Sequence, residues 1–412
     1  MMRLSFNMKF NAGLDGILNT QSKMNRAQDQ LTKQTRILTP ADDPAASAKV
    51  LGLDQNLEQV AQFQNNSVLL KNNLALEETV LTNMRTSIDK ARSLAIAAGN
   101  GTYTESDRKA VAQELKNIQV ELADLMNTRN AEGGYIFSGF QDKKQSYSFN
   151  QATGIYEFQG DDGQKALQIS PTIALPGNDS GKMVFENVDA RFKNTPAVIS
   201  AGGATAAEVS VTDQSQFDAF YKQNYDSLTP ANNDFSVALT APSNYEILQN
   251  GVALVPPVTG AFVADAPIQF NGLTITVSGA AAVPGQIDFS LQAPEKKNIL
   301  TTIGEFITAL ENPGLSSFEF NEAISDAITQ VTSSASTIDS SLSSIGGRVN
   351  VLDSVFGTNE DLTINNKSYR ADLSEVDYAA ALTEITKQEI ALEAISNTFV
   401  KVSGVSLFDY IR

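Results

Sequence analysis

The chain closes with D-L-S-E-V-D-Y-A-A-A-L-T-E-I-T-K-Q-E-I-A-L-E-A-I from Asp372 to Ile395, and then S-N-T-F-V-K-V-S-G-V-S-L-F-D-Y-I-R to Arg412. Ala381, Ile385, Gln388, Leu392, Ile395, Phe399 and Val402 alternate steps of four and three. That spacing is a heptad seam, the narrow stripe of a helix that needs a partner helix. Periodicity alone is met equally by a C-terminal helix docked on its own domain. The N-terminus tips the balance, because Phe10, Ile17, Met24, Leu31 and Leu38 also recur every seven residues. Leu14, Gln21, Gln28 and Thr35 stand between them. One row is apolar and the other largely polar, so this helix is weakly stable alone. Glutamine at a core position sets register at a cost in stability. The first 36 residues hold six basic and two acidic side chains, whereas the segment from Arg370 onward holds four and seven. Two seams of opposite charge balance predict that the ends of the chain pair, against the alternative of separate helices with solvated charged faces.

A chain of 412 residues is too long for one core and implies two or three domains. It contains no Cys, His or Trp. Disulfides, thiolate chemistry and Cys-based metal sites are therefore excluded, and the commonest general base and transition-metal ligand is missing. No metal site, cofactor or enzyme activity is expected. The net charge of −17 argues against nucleic acid, whose phosphates need a basic surface. No apolar run approaches the roughly twenty residues of a membrane span, so no membrane partner is expected. M-M-R-L-S-F-N-M-K-F lacks the apolar core of a cleavable signal peptide. The expected location is the cytoplasm, or the outside by an export route that needs no such signal.

Proline placement draws the domain map. Pro40 and Pro44 are followed by none until Pro171, and none follows Pro313. Eight of the thirteen prolines fall between 195 and 294, a window with one basic residue, Lys222, and eight acidic ones. The flanks are free to form long helices while the middle reads as strands and turns. The fold class is α+β: an elongated multidomain chain whose N- and C-terminal segments form a long-helix coiled-coil bundle carrying an inserted β-rich outer domain. The expected divisions are terminal helices 1–42 with 370–412, a helical rod bundle with a β-hairpin at 43–194 with 295–369, and the outer domain at 195–294. The polar seam positions leave the terminal helices weakly stable until they find a partner.

In chain order, T-P-A-D-D-P-A-A-S (residues 39–47) breaks the first helix. Asp43 is a good N-cap with Pro44 at the first helical position. The paired carboxylates invite an acid–base or metal reading, but a helix start explains them better. From Pro44 to Ala98 a second helix runs for about 80 Å at 1.5 Å per residue, with Leu70, Leu74, Glu77, Leu81, Met84, Ile88, Ala91, Ala95 and Ala98 in heptad spacing. Gly99-Asn100-Gly101 ends it, and Thr104 with Asp107 is a capping box for a third helix bearing Val111, Leu115, Ile118, Leu122 and Leu125. Short strands follow around S-Y-S-F-N and I-Y-E-F, with Gly160-Asp161-Asp162-Gly163 as a hairpin turn in place of a calcium loop. Helix returns at Asn298. Ile324, Ile328, Val331, Ala335, Ile338, Leu342, Ile345, Val349 and Leu352 keep heptad spacing, so this helix anchors the bundle. Gly346-Gly347 inside it permits a close backbone approach or a bend. Phosphate-loop and nucleophile motifs are absent.

Four stretches together resemble the flagellar hook-associated protein 3 (FlgL) family, relatives of flagellin: T-P-A-D-D-P-A-A-S, G-G-Y-I-F-S-G after the third helix, I-G-G-R-V-N-V-L-D, and D-L-S-E-V-D-Y-A with the ending V-S-L-F-D-Y-I. The resemblance covers the first 140 residues and the last 90 or so, and does not extend over 195–294. Gly404-Val405 departs from the Gly-Leu expected before the ending. Flagellin itself is the close alternative, but its break carries alanine where this chain has Pro44, and its ending is nearer L-S-L-L. The resemblance implies a structural subunit joining hook to filament, exported by the flagellar type III apparatus to the outside of the cell. It implies hook-associated protein 1, flagellin and further copies of the chain itself as partners, and an export chaperone on the C-terminal helix. The expected assembly contacts are Leu14, Ile17, Met24 and Leu31 with Ile385, Leu392, Ile395 and Phe399, while Leu407, Phe408 and Tyr410 anchor the tail. A surface adhesin working through its β region is the rival from another class.

Overall fold

The computed structural model describes residues 6–279 and 281–409; the side chains at 6, 7, 9, 281–283 and 402–409 fall outside the description. The α+β class is borne out, with long helices at both ends and a β-rich middle. The helices are α1 (Phe6–Lys33), α2 (Pro44–Ala98), α3 (Glu105–Met126), α4 (Gln214–Asn224), α5 (Ile299–Glu311), α6 (Ser317–Ser374) and α7 (Tyr378–Asp409). The chain divides into two compact units. One holds the residues up to Lys71, Ala166–Leu175 and those from Arg348 onward; the other holds Asn72–Lys165 and Pro176–Gly347.

In the second unit the heptad rows are the core. From Leu74 to Ala98 every seam position of α2 is at most 1% exposed, Glu77 included. On α6, Val331, Ile338 and Ile345 are at most 2% exposed. The seam of α3 is buried at Val111, Leu115, Ile118 and Leu122. Arg85 of α2 meets Asp339 of α6 at 3.0 Å, so ions rim the apolar seam. Helix starts are capped as the sequence requires. Asp107 N–H donates to Thr104 Oγ1 at 3.3 Å while Thr104 N–H donates to the Asp107 carboxylate at 2.9 Å. A second capping box, Ser316 with Glu319, opens α6. Gly346-Gly347 lies inside the uninterrupted α6, and a Cβ at either position would meet nothing within 4 Å. Of the two readings, close approach or bend, no close approach is seen there among the described residues.

The aromatic glycine stretch is a buried turn. Phe137 is fully buried edge-on to Phe185, with ring centroids 5.0 Å apart. Gly139 has φ +70°, and a Cβ there would fall 2.5 Å from the Asp161 carbonyl oxygen, so glycine is required. Strands β1 (Tyr147–Asn150) and β2 (Ile155–Phe158) form the expected hairpin, in which Phe149 faces Tyr156. Gly160–Gly163 is not a hairpin turn, because β2 pairs only with β1 and the next two strands, β3 (Ala166–Gln168) and β4 (Ala174–Pro176), pair with each other. Instead the Asp161 carboxylate accepts the N–H groups of Phe140 at 2.9 Å and Gly163 at 2.8 Å. These bonds, the Phe140 one foremost, hold its carboxyl below the usual range.

The β-rich segment comprises β5 (Val198–Gly203), β6 (Ala206–Val211), β7 (Asp234–Thr240), β8 (Asn244–Gln249), β9 (Val252–Ala261), β10 (Ile268–Phe270), β11 (Leu273–Ser278) and β12 (Ala281–Ser290). A five-stranded sheet in the order β5-β12-β7-β8-β9 and a three-stranded sheet in the order β10-β11-β6 enclose one core with α4. Phe217, Phe235, Ile247, Leu273 and Phe289 are at its centre. Asn271-Gly272, with φ of 47° and 83°, forms the tight turn between β10 and β11. The segment leaves and rejoins the helical part through adjacent backbone bridges, Asp189 with Lys296 and Asn194 with Leu291.

Replacing Ile338, which is 1% exposed, by Ala is expected to lower the unfolding free energy by roughly 2–5 kcal/mol. Val120→Ala, at a position 61% exposed, is expected to change it by less than about 0.5 kcal/mol. Urea unfolding of the two variants checks the assignment of the seam.

Candidate assembly interface

The first unit brings the ends of the chain together. Helix α1 packs on α7, and the contacts run in opposite senses. Gly13 lies under Phe399 and Gly16 under Ile395, while beyond the helix end Thr35 bridges Glu375. The pair is antiparallel and in a single register. At its closed end Arg36 N–H donates to the Ser374 carbonyl at 2.8 Å, and its guanidinium reaches the Leu373 carbonyl at 2.9 Å.

On α7 the sequence seam is the seam that packs. Ala381 and Gln388 are buried, and Ile385, Leu392, Ile395 and Phe399 are half-buried. Gln388 is tolerated there because its amide donates to Glu384 one turn earlier. That bond leads, and the charge of Lys23 on α1 adds to, the lowering of the Glu384 pKa. On α1 the structure places Ile17, Met24 and Leu31 half-buried, but Leu14 is 41% exposed. The intervening row is filled by Gly13, Thr20 and Ala27, with Thr20 and Ala27 buried. These small residues carry little hydrophobic signal, which is why periodicity selected the larger Leu14 beside them. Their function is to let the helices approach. Phe10 is part of the contact as well, its ring centroid 4.9 Å from that of Phe399. The side chains of Leu407 and Phe408, and Tyr410 altogether, lie outside the described residues.

Apolar side chains remain on the outer faces of the pair. Met8, Leu14 and Leu18 on α1 and Leu382, Ile390 and Val400 on α7 are 41–66% exposed. The interface that α1 and α7 make with each other is thus built from small and half-buried residues. Larger apolar groups face outward.

The paired carboxylates at the end of α1 serve backbone donors and a helix start. Asp42 accepts the N–H groups of Leu38 at 3.0 Å and Thr39 at 2.9 Å and pairs with Arg26 at 2.9 Å. Asp43 caps α2 through the Ala46 N–H at 3.0 Å and pairs with Arg36 at 3.1 Å. The Thr39 N–H, followed by the Leu38 N–H and the Arg26 charge, holds the Asp42 carboxyl below its ordinary range; the Ala46 N–H and Arg36 do the same for Asp43. Further along this unit, Asp54 pairs with Arg370 and Lys71 with Asp353, so α2 and α6 also run antiparallel here. Among the described residues no group of acidic side chains could hold a metal, and no helix is long and apolar enough to cross a membrane.

Residues 4–142 match the bacterial flagellin N-terminal helical region. The flagellar hook-associated protein 3 of Salmonella typhimurium is 30% identical over 187 residues, which are 45% of this chain and 58% of that protein. The matched stretch thus spans little more than half the length of that relative. A flagellin of Clostridium tyrobutyricum is 21% identical over 403 residues, covering 94% of this chain and 96% of that one. The crystal structure of the flagellar junction protein FlgL from Legionella pneumophila superposes with a TM-score of 0.56 at 26% identity, over 79% of this chain and 99% of that one. Fold and matches define a flagellin-like protein, with paired terminal helices and a β-rich middle. Within that class the chain is similar to the hook-associated protein 3, or FlgL, proteins.

Lowered carboxyl pKa values stabilise the joint between α1 and α2 above about pH 4, and the contribution is lost as pH falls through the folded values. The amide proton shifts of Leu38 and Thr39 are expected to titrate with a midpoint below 3.8, the ordinary value of an aspartate carboxyl. A midpoint at or above it in the NMR titration would remove the assigned bonds, and Asp42→Asn should abolish the titration.

Proposed function

We propose that the chain is a structural subunit of the bacterial flagellum joining hook to filament, lying outside the cell as part of a tubular assembly. The observation that carries this reading is the antiparallel pair of chain ends, in a chain similar to hook-associated protein 3, with large apolar groups turned outward from the pair. A two-helix pair that buries Thr20, Ala27, Ala381 and Gln388 gains little from its own interface. Isolated helices of such composition are marginal in water. Neighbouring copies supply the missing burial, so terminal helices that close only loosely and transiently in the monomer complete their ordering on assembly, as in coupled folding and binding. Late ordering also prevents premature polymerisation and suits passage through a narrow export channel.

Subunits meeting head to tail with a screw rotation build open tubes. In this reading the terminal helices (1–42 with 370–412) line the interior, the helical bundle (43–194 with 295–369) forms the next shell, and 195–294 projects outward. Ile17, Met24, Leu31, Ile385, Leu392, Ile395 and Phe399 serve the pairing, and Leu14 faces a neighbouring copy. The partners are hook-associated protein 1 on the hook side, flagellin distally, copies of the same chain, and a cytoplasmic export chaperone on α7 before export. No catalytic step is assigned to the chain.

Seeded growth on purified hook fragments, viewed by electron microscopy, tests the reading. The expected result is a short added zone that stops and then accepts flagellin. Long filaments of this protein alone would make it a filament subunit instead. Leu392→Asp with Phe399→Asp is expected to abolish addition while leaving the urea midpoint of the second unit unchanged, and undiminished addition would remove the interface assignment. Deleting 195–294 is expected to spare addition; loss of a surface-binding activity with it would favour the adhesin reading.

A further inference from the structure

We infer that Gly13 and Phe399 set the register in which the two ends of the chain close, as a socket and its knob. A Cβ built at Gly13 would lie 2.8 Å from Phe399 Cδ2, closer than carbon atoms pack, and 3.5 Å from Cε2. The Phe399 ring therefore rests on bare backbone. One turn along, a Cβ at Gly16 would lie 3.7 Å from Ile395 Cγ2, an ordinary contact. Two glycines thus stand under two bulky residues of α7, yet only Gly13 is required by space. Phe10, one turn before Gly13, closes the other side of the socket with its ring tilted at 47° to that of Phe399.

The register needs such a device. Past the closed end, where Arg36 bonds Ser374, the row facing α7 is small, with Thr20 and Ala27 buried between the half-buried Ile17, Met24 and Leu31, and such similar apolar positions discriminate weakly between alignments. Sliding α7 by one turn puts Phe399 over Gly16 or Phe10, and sliding by a heptad puts it over Thr20. A displaced Phe399 meets a side chain at Phe10 or Thr20, and at Gly16 it leaves Ile395 without its place. Knob-and-hole packing with a single deep hole is how a weak seam selects one alignment. This inference concerns the pairing of the chain with itself and rests on the assembly reading only for its consequence in the flagellum.

The chain has no cysteine, so one engineered pair reports the register cleanly. Gly16→Cys with Ile395→Cys marks the proposed alignment, and Thr20→Cys with Ile395→Cys marks a slipped one. In the full-length monomer under mild oxidation the first pair is expected to cross-link at least tenfold faster than the second. Adding Gly13→Val is expected to slow the first pair at least tenfold, and adding Phe399→Ala to that variant is expected to restore it. Equal rates for the two pairs, or a Gly13→Val background that cross-links like the parent, would overturn the inference. The Gly13→Val single variant is then tried on hook fragments, with urea unfolding of the second unit as a folding control. If cross-linking is slowed and addition to hooks is not, the register stands and the assembly reading falls.

Discussion

Closure of the α2 and α6 seams is the constraint on which the remaining structure depends. Their apolar rows lie more than 200 residues apart in sequence, yet Leu74 to Ala98 on one and Val331, Ile338 and Ile345 on the other are almost wholly excluded from water. Each buried Leu or Ile contributes about 1.5–3 kcal/mol, enough to offset the loop-closure cost, which grows only slowly with length. Everything between the two helices must then leave and return at nearby points. The β-rich segment does so through the Asp189–Lys296 and Asn194–Leu291 bridges. A segment held in this way with a core of its own can change composition without disturbing the helices, which accounts for its single lysine and its separate aromatic interior.

Where this segment joins the helices the connection is polar. The Arg191 side chain, 1% exposed, bonds Asp326 of α6 at 2.7 Å, also meets Glu322, and reaches Gln214 of α4 at 3.2 Å. Lys193 pairs with the same Asp326. A buried cation costs desolvation and tolerates few arrangements of its partners. It therefore contributes more to the orientation of α4 on α6 than to stability. A hydrophobic contact would hold the same elements with less directional preference.

The terminal pair is the opposite case. Its buried residues are small or amide-bearing, its large residues are half-exposed, and its contacts fit one register at one socket. Strong packing here would favour a closed, finished monomer, whereas weak packing with outward Leu14, Leu18, Leu382 and Ile390 leaves free energy to be gained from neighbouring copies. In the function proposed above, the contrast between a sealed bundle and loosely closed ends is the physical basis for a subunit that folds in part first and completes folding in the assembly.

Long helices, their caps and the α7 seam were determined by the sequence itself, because heptad spacing of Leu, Ile and Phe and the Thr104–Asp107 and Asp43–Pro44 signals act within a few turns of chain. Four features depended on tertiary structure: the small-residue row of α1, the use of Asp161 to hold the Gly139 turn, the partition of the β segment into two sheets, and the open space around Gly346-Gly347. A glycine has the same sequence whether it admits a ring, permits a positive φ or faces solvent. Its role is set by what another part of the chain brings to it. Gly13 and Gly346 differ only in that Phe399 reaches one of them.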